Sequence, residues 1–284
     1  MNIKKIEQRI GFLALDLCVV VVAAALFIIL YDIVSKGWGQ ISWEFLSEAP
    51  TMGMTEGGIF PAIVGTFMVT VITAVLAVPL GMGCAVYLNE YAKDNFITRL
   101  IRMSIRNLSG VPSIVYGLFG VVVFVNMMHL GTSILSAGMT LGLMTLPWTI
   151  TASEEALKNV PQSYRDGAFA LGATKWKTLK TNVIPYAVPG MLTGTILGLA
   201  RAAGETAPIL FTGAAFFLPF LPKSLSDQFM ALPYHLYIMA TQHHDIGAVR
   251  PIAYGTALVL ITLILLMNLS AIILRYKLRK LKRE

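Results

Sequence analysis

Six apolar stretches in this chain, at about 11–33, 60–88, 108–129, 133–153, 184–213 and 251–275, are each long enough to cross a bilayer, which takes roughly 20 helical residues. This pattern restricts the fold more than any motif does. In hydrocarbon every backbone N–H and C=O must be paired inside the protein, which leaves only helices and closed barrels. A barrel would show segments of about ten residues with alternating polarity, whereas these stretches are continuously apolar. The expected fold is all-α and integral to the membrane, with six transmembrane helices. Composition agrees: charged residues make up 13% of the chain, against about 25% in a soluble globule.

The basic residues set the orientation. Of 22 Lys and Arg, 18 fall before the first stretch, after the last, between the second and third, or between the fourth and fifth. The opposite loops hold only Lys36, Lys223 and Arg250. By the positive-inside rule both termini are cytoplasmic. The net charge of +7 is then a topology signal, and nothing in it points to nucleic acid. Lys4, Lys5 and Arg9 ahead of an apolar run resemble a signal peptide, and Ala23-Ala24-Ala25 resembles a cleavage site. However, the run continues through LFIILYDIV, so the first stretch reads as a retained helix. Cys18 and Cys84 both fall inside apolar stretches and read as packing residues. Residues 1–284 read as one transmembrane domain with long outer loops at about 34–59 and 214–250.

One block does not belong in lipid. Residues 163–185, SYRDGAFALGATKWKTLKTNVIP, are polar and basic and lie on the cytoplasmic side. Ser163 is placed to cap a helix with Asp166 as its capping-box partner. Gly172 is placed to end that helix in a left-handed turn, and Thr174 to cap a second helix running through Trp176 and Leu179. Pro185 marks the start of the fifth stretch. Spacing alone leaves two readings open: a docking site for a soluble partner, or an amphipathic loop lying on the lipid surface.

The block resembles the EAA loop of ABC-importer permeases. Asp166-Gly167-Ala168 stands where that family has Glu-Ala-Ala, Gly172 stands at its glycine, and Ile184-Pro185 at its closing Leu-Pro. The resemblance implies a type I importer architecture in which the loop, about 154–185, couples to a cytoplasmic ATPase through Ser163, Asp166, Gly167, Ala168, Gly172, Trp176 and Pro185. Gly167 in place of alanine loosens that helix by up to about 1 kcal/mol. Further segments narrow the resemblance. GVPSIVYGLFG at 110–120, EEALKNVP at 154–161 and ARAAGETAPILFT at 200–212 are similar to phosphate-importer permeases of the PstA type. So are GGIFPAIVGTF at 57–67 and FMALPYHLYIMA at 229–240. The similarity runs over about 55–275. It implies a bacterial inner-membrane permease subunit with a second, homologous permease subunit, a pair of cytoplasmic ATPases and an extracytoplasmic phosphate-binding protein as partners. ATP and Mg would sit on the ATPase, with no cofactor on this chain.

Arg201 is the only Lys or Arg deep within an apolar stretch, where a cation costs about 2.5–3.5 kcal/mol on insertion scales. Glu205, four residues on, shares its helix face. The pair is either structural or a site where the guanidinium fork meets an oxyanion in transit, with Glu205 tempering the field. The resemblance favours the second, because the ARxxGETAP segment is where that family is expected to contact phosphate. Pro208 is expected to kink the fifth stretch near Gly204, with Thr206 and Thr212 adding hydroxyl donors. Gly190, Gly194 and Gly198 recur every four residues and read as a packing ridge. Pro112 and Ser113 begin the third stretch. Ser113 and Tyr116 face the path, or else form a proline-led helix start with an interfacial tyrosine. Thr149-Ile150-Thr151 stands where the resemblance implies a basic residue.

His243-His244-Asp245 lacks a fourth ligand at recognisable spacing, so a metal site is not expected. Without G-x-x-x-x-G-K-[ST] the chain has no nucleotide loop of its own, and it reads as a permease and not an enzyme. Three rivals remain: a permease for another oxyanion such as sulfate or molybdate, an ion-coupled secondary transporter, and a membrane-embedded enzyme. The second would show an internal repeat, and the third a cluster of His and carboxylates at one depth. The sequence has neither.

Overall fold

A computed structural model describes residues 3–280. Lys282, Arg283 and Glu284 lie outside the described residues, as do the side chains of Lys4, Lys5, Arg9, Arg279 and Lys280. The chain is helical almost throughout. Its elements are α1 (Ile3–Gly37), α2 (Trp43–Ser47), a hairpin of β1 (Pro50–Thr51) and β2 (Glu56–Gly57), α3 (Phe60–Val86), α4 (Phe96–Leu108), α5 (Ser113–Gly120), α6 (Ile134–Lys158), α7 (Gln162–Ala170), α8 (Lys175–Thr178), α9 (Ile184–Gly204), α10 (Ala207–Thr212), α11 (Leu232–Thr241) and α12 (Ile246–Lys280). Three π-helical segments extend them: Tyr87–Tyr91 after α3, Val121–Met127 after α5, and Leu179–Val183 between α8 and α9.

Five helical stretches among the described residues are long and apolar enough to cross a membrane: Gly11–Gln40, Phe60–Tyr91, Ile134–Lys158, Lys175–Gly204 and Ile246–Lys277. The sixth expected span, 108–129, is shorter and bent. Phe96–Leu108 meets Ser113–Met127 at 104°. The crossing segment therefore begins at Ser113 and rises only about 22 Å at ~1.5 Å per residue. The cause is local. Asn95 caps α4, accepting from Thr98 N at 2.9 Å. The helix is amphipathic, with Arg99, Arg102 and Arg106 on one side, so it lies along the cytoplasmic face until Ser109-Gly110-Val111-Pro112 turns the chain inward.

The fifth span also departs from expectation at both ends. It starts at Lys175 and not at 184, because the Leu179–Val183 π segment joins α8 to α9. Pro185 has no N–H to give to the turn before it, and a π turn sits where that bond is missing. At the other end the expected kink is a full break. Glu205 is extended (φ −74°, ψ 135°), and α10 starts afresh with Pro208 in its first turn. Thr212 does not face outward as a donor. It is fully buried and donates to Pro208 O at 2.8 Å.

The core is a bundle of α3, α6 and α9 held at close range by small residues. A Cβ on Gly194 would stand 2.0 Å from Ala152 Cβ, and one on Gly190 2.9 Å from Ala156 Cβ. The expected glycine ridge therefore packs against an alanine ridge on α6. Threonine hydroxyls inside the spans return to backbone carbonyls one turn back, as Thr66, Thr70 and Thr73 do on α3. Thr149 and Thr151 bond the same way to Thr145 O and Pro147 O. On the outer side α11 is a buried helix sealed to α3, with Leu232 N donating to Thr66 Oγ1 at 2.8 Å. His243 Nε2 lies 2.8 Å from Gly53 O and so joins the two outer loops, a structural use of the histidine that was weighed as a metal ligand. By contrast α1 touches the bundle mainly near its outer end, where Tyr254 OH donates to Asp32 Oδ2 at 3.0 Å.

Candidate transport path and coupling site

The break in the fifth span brings Arg201, Glu205 and Thr206 together. Arg201 Nε lies 3.2 Å from Glu205 Oε1. The guanidinium carbon sits 5.5 Å from the Trp148 ring centroid on α6. The arginine side chain is 50% exposed and the glutamate 16%, so the charge is supported from one side and open on the other. A guanidinium has five N–H donors in a fixed fork. One is used on Glu205, and the terminal nitrogens have no hydrogen-bond partner among the described residues. A planar, permanently charged donor set with an indole ring on one side and open donors on the other suits an oxyanion. Thr206 is half-buried at the start of α10 and makes no side-chain cap there.

Ser113 and Tyr116 lie on α5, immediately behind this break. A Cβ on Gly117 would come within 3.1 Å of Ala207 O and Pro208 Cα, so α5 and α10 are in backbone contact. Tyr116 is buried, and its hydroxyl donates to Leu108 O at 2.8 Å, across the 104° bend. Its proton is committed to that turn and is not offered to the path. Ser113 is partly exposed in the first turn of α5.

On the cytoplasmic side α7 and α8 meet at Gly172, whose φ of +77° is the expected left-handed turn and favours glycine. Thr174 Oγ1 accepts from Lys177 N at 3.4 Å, as expected of a cap. The expected capping box at Ser163 does not form. Pro161 occupies the cap position and Ser163 lies inside the first turn. Asp166 accepts from Gln162 Nε2 at 3.1 Å instead. Pro161, at φ −54° and ψ 138°, leads the chain into the helix without a side-chain cap. Gly167 has open space around it, Ala168 faces the bundle, and Trp176 is 60% exposed. Leu171, absent from the sequence reading, is 90% exposed at the tip of the turn. Leu171 and Trp176 thus expose apolar side chains on a polar cytoplasmic projection.

Sequence reasoning also missed two ion pairs. Arg165 Nη2 is 2.8 Å from Glu90 Oε1, and Arg102 Nε is 3.1 Å from Glu154 Oε1. The partners lie 75 and 52 residues apart, so no spacing rule exposes them. Trp148 beside Arg201 was missed for the same reason.

The family model for the binding-protein-dependent transport system inner membrane component matches residues 77–283. A probable ABC transporter permease of Bacillus subtilis, YqgI, is 33% identical over 94% of this chain and 95% of its own. The phosphate transport system permease protein PstA 1 of Mycobacterium tuberculosis is 33% identical over 87% of this chain and 82% of its own. Among solved structures, a bacterial ABC transporter involved in import of the acidic polysaccharide alginate superposes with a TM-score of 0.66 at 12% identity, covering 96% of this chain and 98% of that one. That likeness concerns the fold. The chain belongs to the family of binding-protein-dependent transport system inner membrane components.

Proposed function

We propose that this chain is a permease subunit of an ATP-driven importer that moves inorganic phosphate into the cytoplasm. Its similarity to PstA proteins supports the substrate class. One observation carries the reading at atomic scale: Arg201 lies over the Trp148 ring, is tempered by Glu205, and is left with open donors at a break in a membrane-spanning helix. A path must attract an ion and also release it, and an arginine half-neutralised by its own helix meets both demands. Thr206 is the neighbouring hydroxyl donor, and Ser113 lies on the helix that backs the break. The chain acts as one transmembrane unit. A second, homologous permease subunit completes the path, and an extracytoplasmic phosphate-binding protein delivers the ion. A pair of cytoplasmic ATPases, which bind the ATP and Mg, docks on the loop from Ser163 to Trp176.

The reading is tested by uptake of radiolabelled phosphate into proteoliposomes holding the assembled importer, with excess sulfate or molybdate as competitor. Phosphate uptake that resists both competitors is the expected result. Equal competition by sulfate would replace phosphate with the broader oxyanion class.

A further inference from the structure

The π-helical end of the second span, Tyr87–Tyr91, is gripped from three sides by elements of the cytoplasmic face. Arg165, on α7, donates through Nη2 to Glu90 Oε1 at 2.8 Å and to Leu157 O at 3.2 Å, and through Nη1 to Val160 O at 2.9 Å. Arg102, on α4, donates to Leu88 O at 2.7 Å. The ammonium of Lys175, on α8, sits 4.9 Å from the Tyr91 ring centroid. Of these, the Arg165–Glu90 pair is the buried one, at 13% and 8% side-chain exposure.

We propose that Arg165 is a strut that passes movement of the coupling helix into the second and fourth spans, through Glu90 on one and the carbonyls of Leu157 and Val160 at the end of the other. Three features carry this. First, α7 has no broad face against α3 or α6. It packs on α8 and on the Leu179–Val183 segment, and Tyr164 meets Tyr186 of the fifth span, so the Arg165 side chain is its link to the ends of the second and fourth spans. Second, the guanidinium makes three hydrogen bonds to the ends of those spans, and a planar fork with several fixed bonds transmits displacement where a flexible apolar contact would slip. Third, the receiving end is π-helical, a geometry concentrated at functional sites. Stability alone does not account for the pair, because a buried ion pair is commonly no more stabilising than apolar residues of equal volume. Arg165 is a positioning residue that acts through Glu90. The proposal rests on the reading that an ATPase docks at the Gly172 turn.

The test uses the complete importer with its ATPase in proteoliposomes and reads ATPase co-purification, ATP hydrolysis and phosphate uptake together. Arg165→Gln and Glu90→Gln are expected to keep co-purification and hydrolysis while uptake falls about tenfold or more, the scale of a lost charge-assisted bond. ATP consumed per phosphate rises by the same factor. Arg165→Lys, which keeps the charge and loses the fork, is expected to lie between. Unchanged uptake, or uptake and hydrolysis falling in proportion, would overturn the strut. If the neutral variants do not assemble, a short thiol cross-linker between Glu90→Cys and Arg165→Cys, in a chain with Cys18→Ala and Cys84→Ala, decides. A linked pair that restores coupled uptake supports the strut, and one that freezes uptake or changes nothing overturns it. Failure of the docking reading shows separately, as a Gly172→Val chain that couples normally. That result removes the input of the strut and overturns the proposal with it.

Discussion

The chain contains two arginine–glutamate pairs of opposite character. Arg201–Glu205 sits at the break in the fifth span, with one bond at 3.2 Å and the arginine half-exposed. Arg165–Glu90 sits at the cytoplasmic hinge, with bonds to a carboxylate and two carbonyls and both side chains largely buried. The first arginine makes one such bond and the second three, out of five donors each. An exposed i,i+4 pair is worth about 0.3–0.5 kcal/mol, too little to explain a cation placed at membrane depth, so its remaining donors are where a function can act. A largely buried pair, tied to a carboxylate and two carbonyls, is enclosed by the protein and serves geometry instead. The same two residue types thus do binding work in one place and mechanical work in the other, and exposure together with the number of bonds made separates the two.

The sharpest way to break this comparison is at Arg201. Arg201→Gln is expected to lower phosphate uptake by about 10–100-fold, because hydrogen bonds to charged groups contribute about 1.5–3 kcal/mol. Insertion and ATPase association should persist. Arg201→Lys should recover little, since a point charge does not reproduce the fork. Membrane abundance separates binding from scaffolding: a double variant with Arg201→Gln and Glu205→Gln that takes up phosphate at the full rate would make this pair structural like the other.

Next in size is Gly172→Val. Its φ of +77° is strained for a β-branched residue by roughly 1–2 kcal/mol, although the surrounding space is open. The strain falls on the turn itself, so the expected result is about tenfold or more loss of coupled uptake with the spans still assembled. Normal uptake with normal ATPase stimulation would remove the turn from the coupling surface.

Smaller again is Trp148→Leu. The ring under the Arg201 guanidinium is 45% exposed, and a cation–π contact at such a site is worth about 0.5–1 kcal/mol. The apparent KM for phosphate should rise about two- to fivefold, with a lesser change in the maximal rate. A fall in the maximal rate alone would assign the indole to helix packing, through its neighbour Gly198, and leave Arg201 indifferent to it.

Those effects also show what a sequence discloses. Spans were legible because hydropathy needs only local residues, and the Gly190–Gly198 ridge because small residues every four positions have one geometric use. The 104° bend was not legible as a bend. Its Gly110-Val111-Pro112 turn lies inside a continuous apolar window, and the charges of α4 registered as orientation and not as an interfacial helix. Arg201–Glu205 was visible because it is four residues long. Arg165–Glu90 was not, because pairing across 75 residues is set by how two spans end against each other. Tyr116 illustrates the same limit: its residue type suggested the path, while its partner, Leu108 O, exists only once the chain has bent.

The smallest effect concerns which residue caps the coupling loop. Sequence spacing favoured a box at Ser163 and Asp166, but Pro161 takes the cap position and the Ser163 hydroxyl has no hydrogen bond among the described residues. Ser163→Ala should therefore leave both stability and coupling unchanged. Thr174 does cap α8, though its bond to Lys177 N is long at 3.4 Å, so Thr174→Ala should cost near the lower end of the usual range, about 0.5 kcal/mol. That difference is readable as about a twofold weakening of ATPase association in detergent-solubilised complexes, because α8 forms one wall of the Gly172 turn and frays toward it when uncapped. The order of the two effects matters more than their size. Greater sensitivity at Ser163 than at Thr174 would mean that α7 begins two residues later when the ATPase is bound, with Ser163 released from the first turn to cap it. The loop would then be the part of the molecule that reshapes on docking, and the triply bonded Arg165 the fixed point about which it does so.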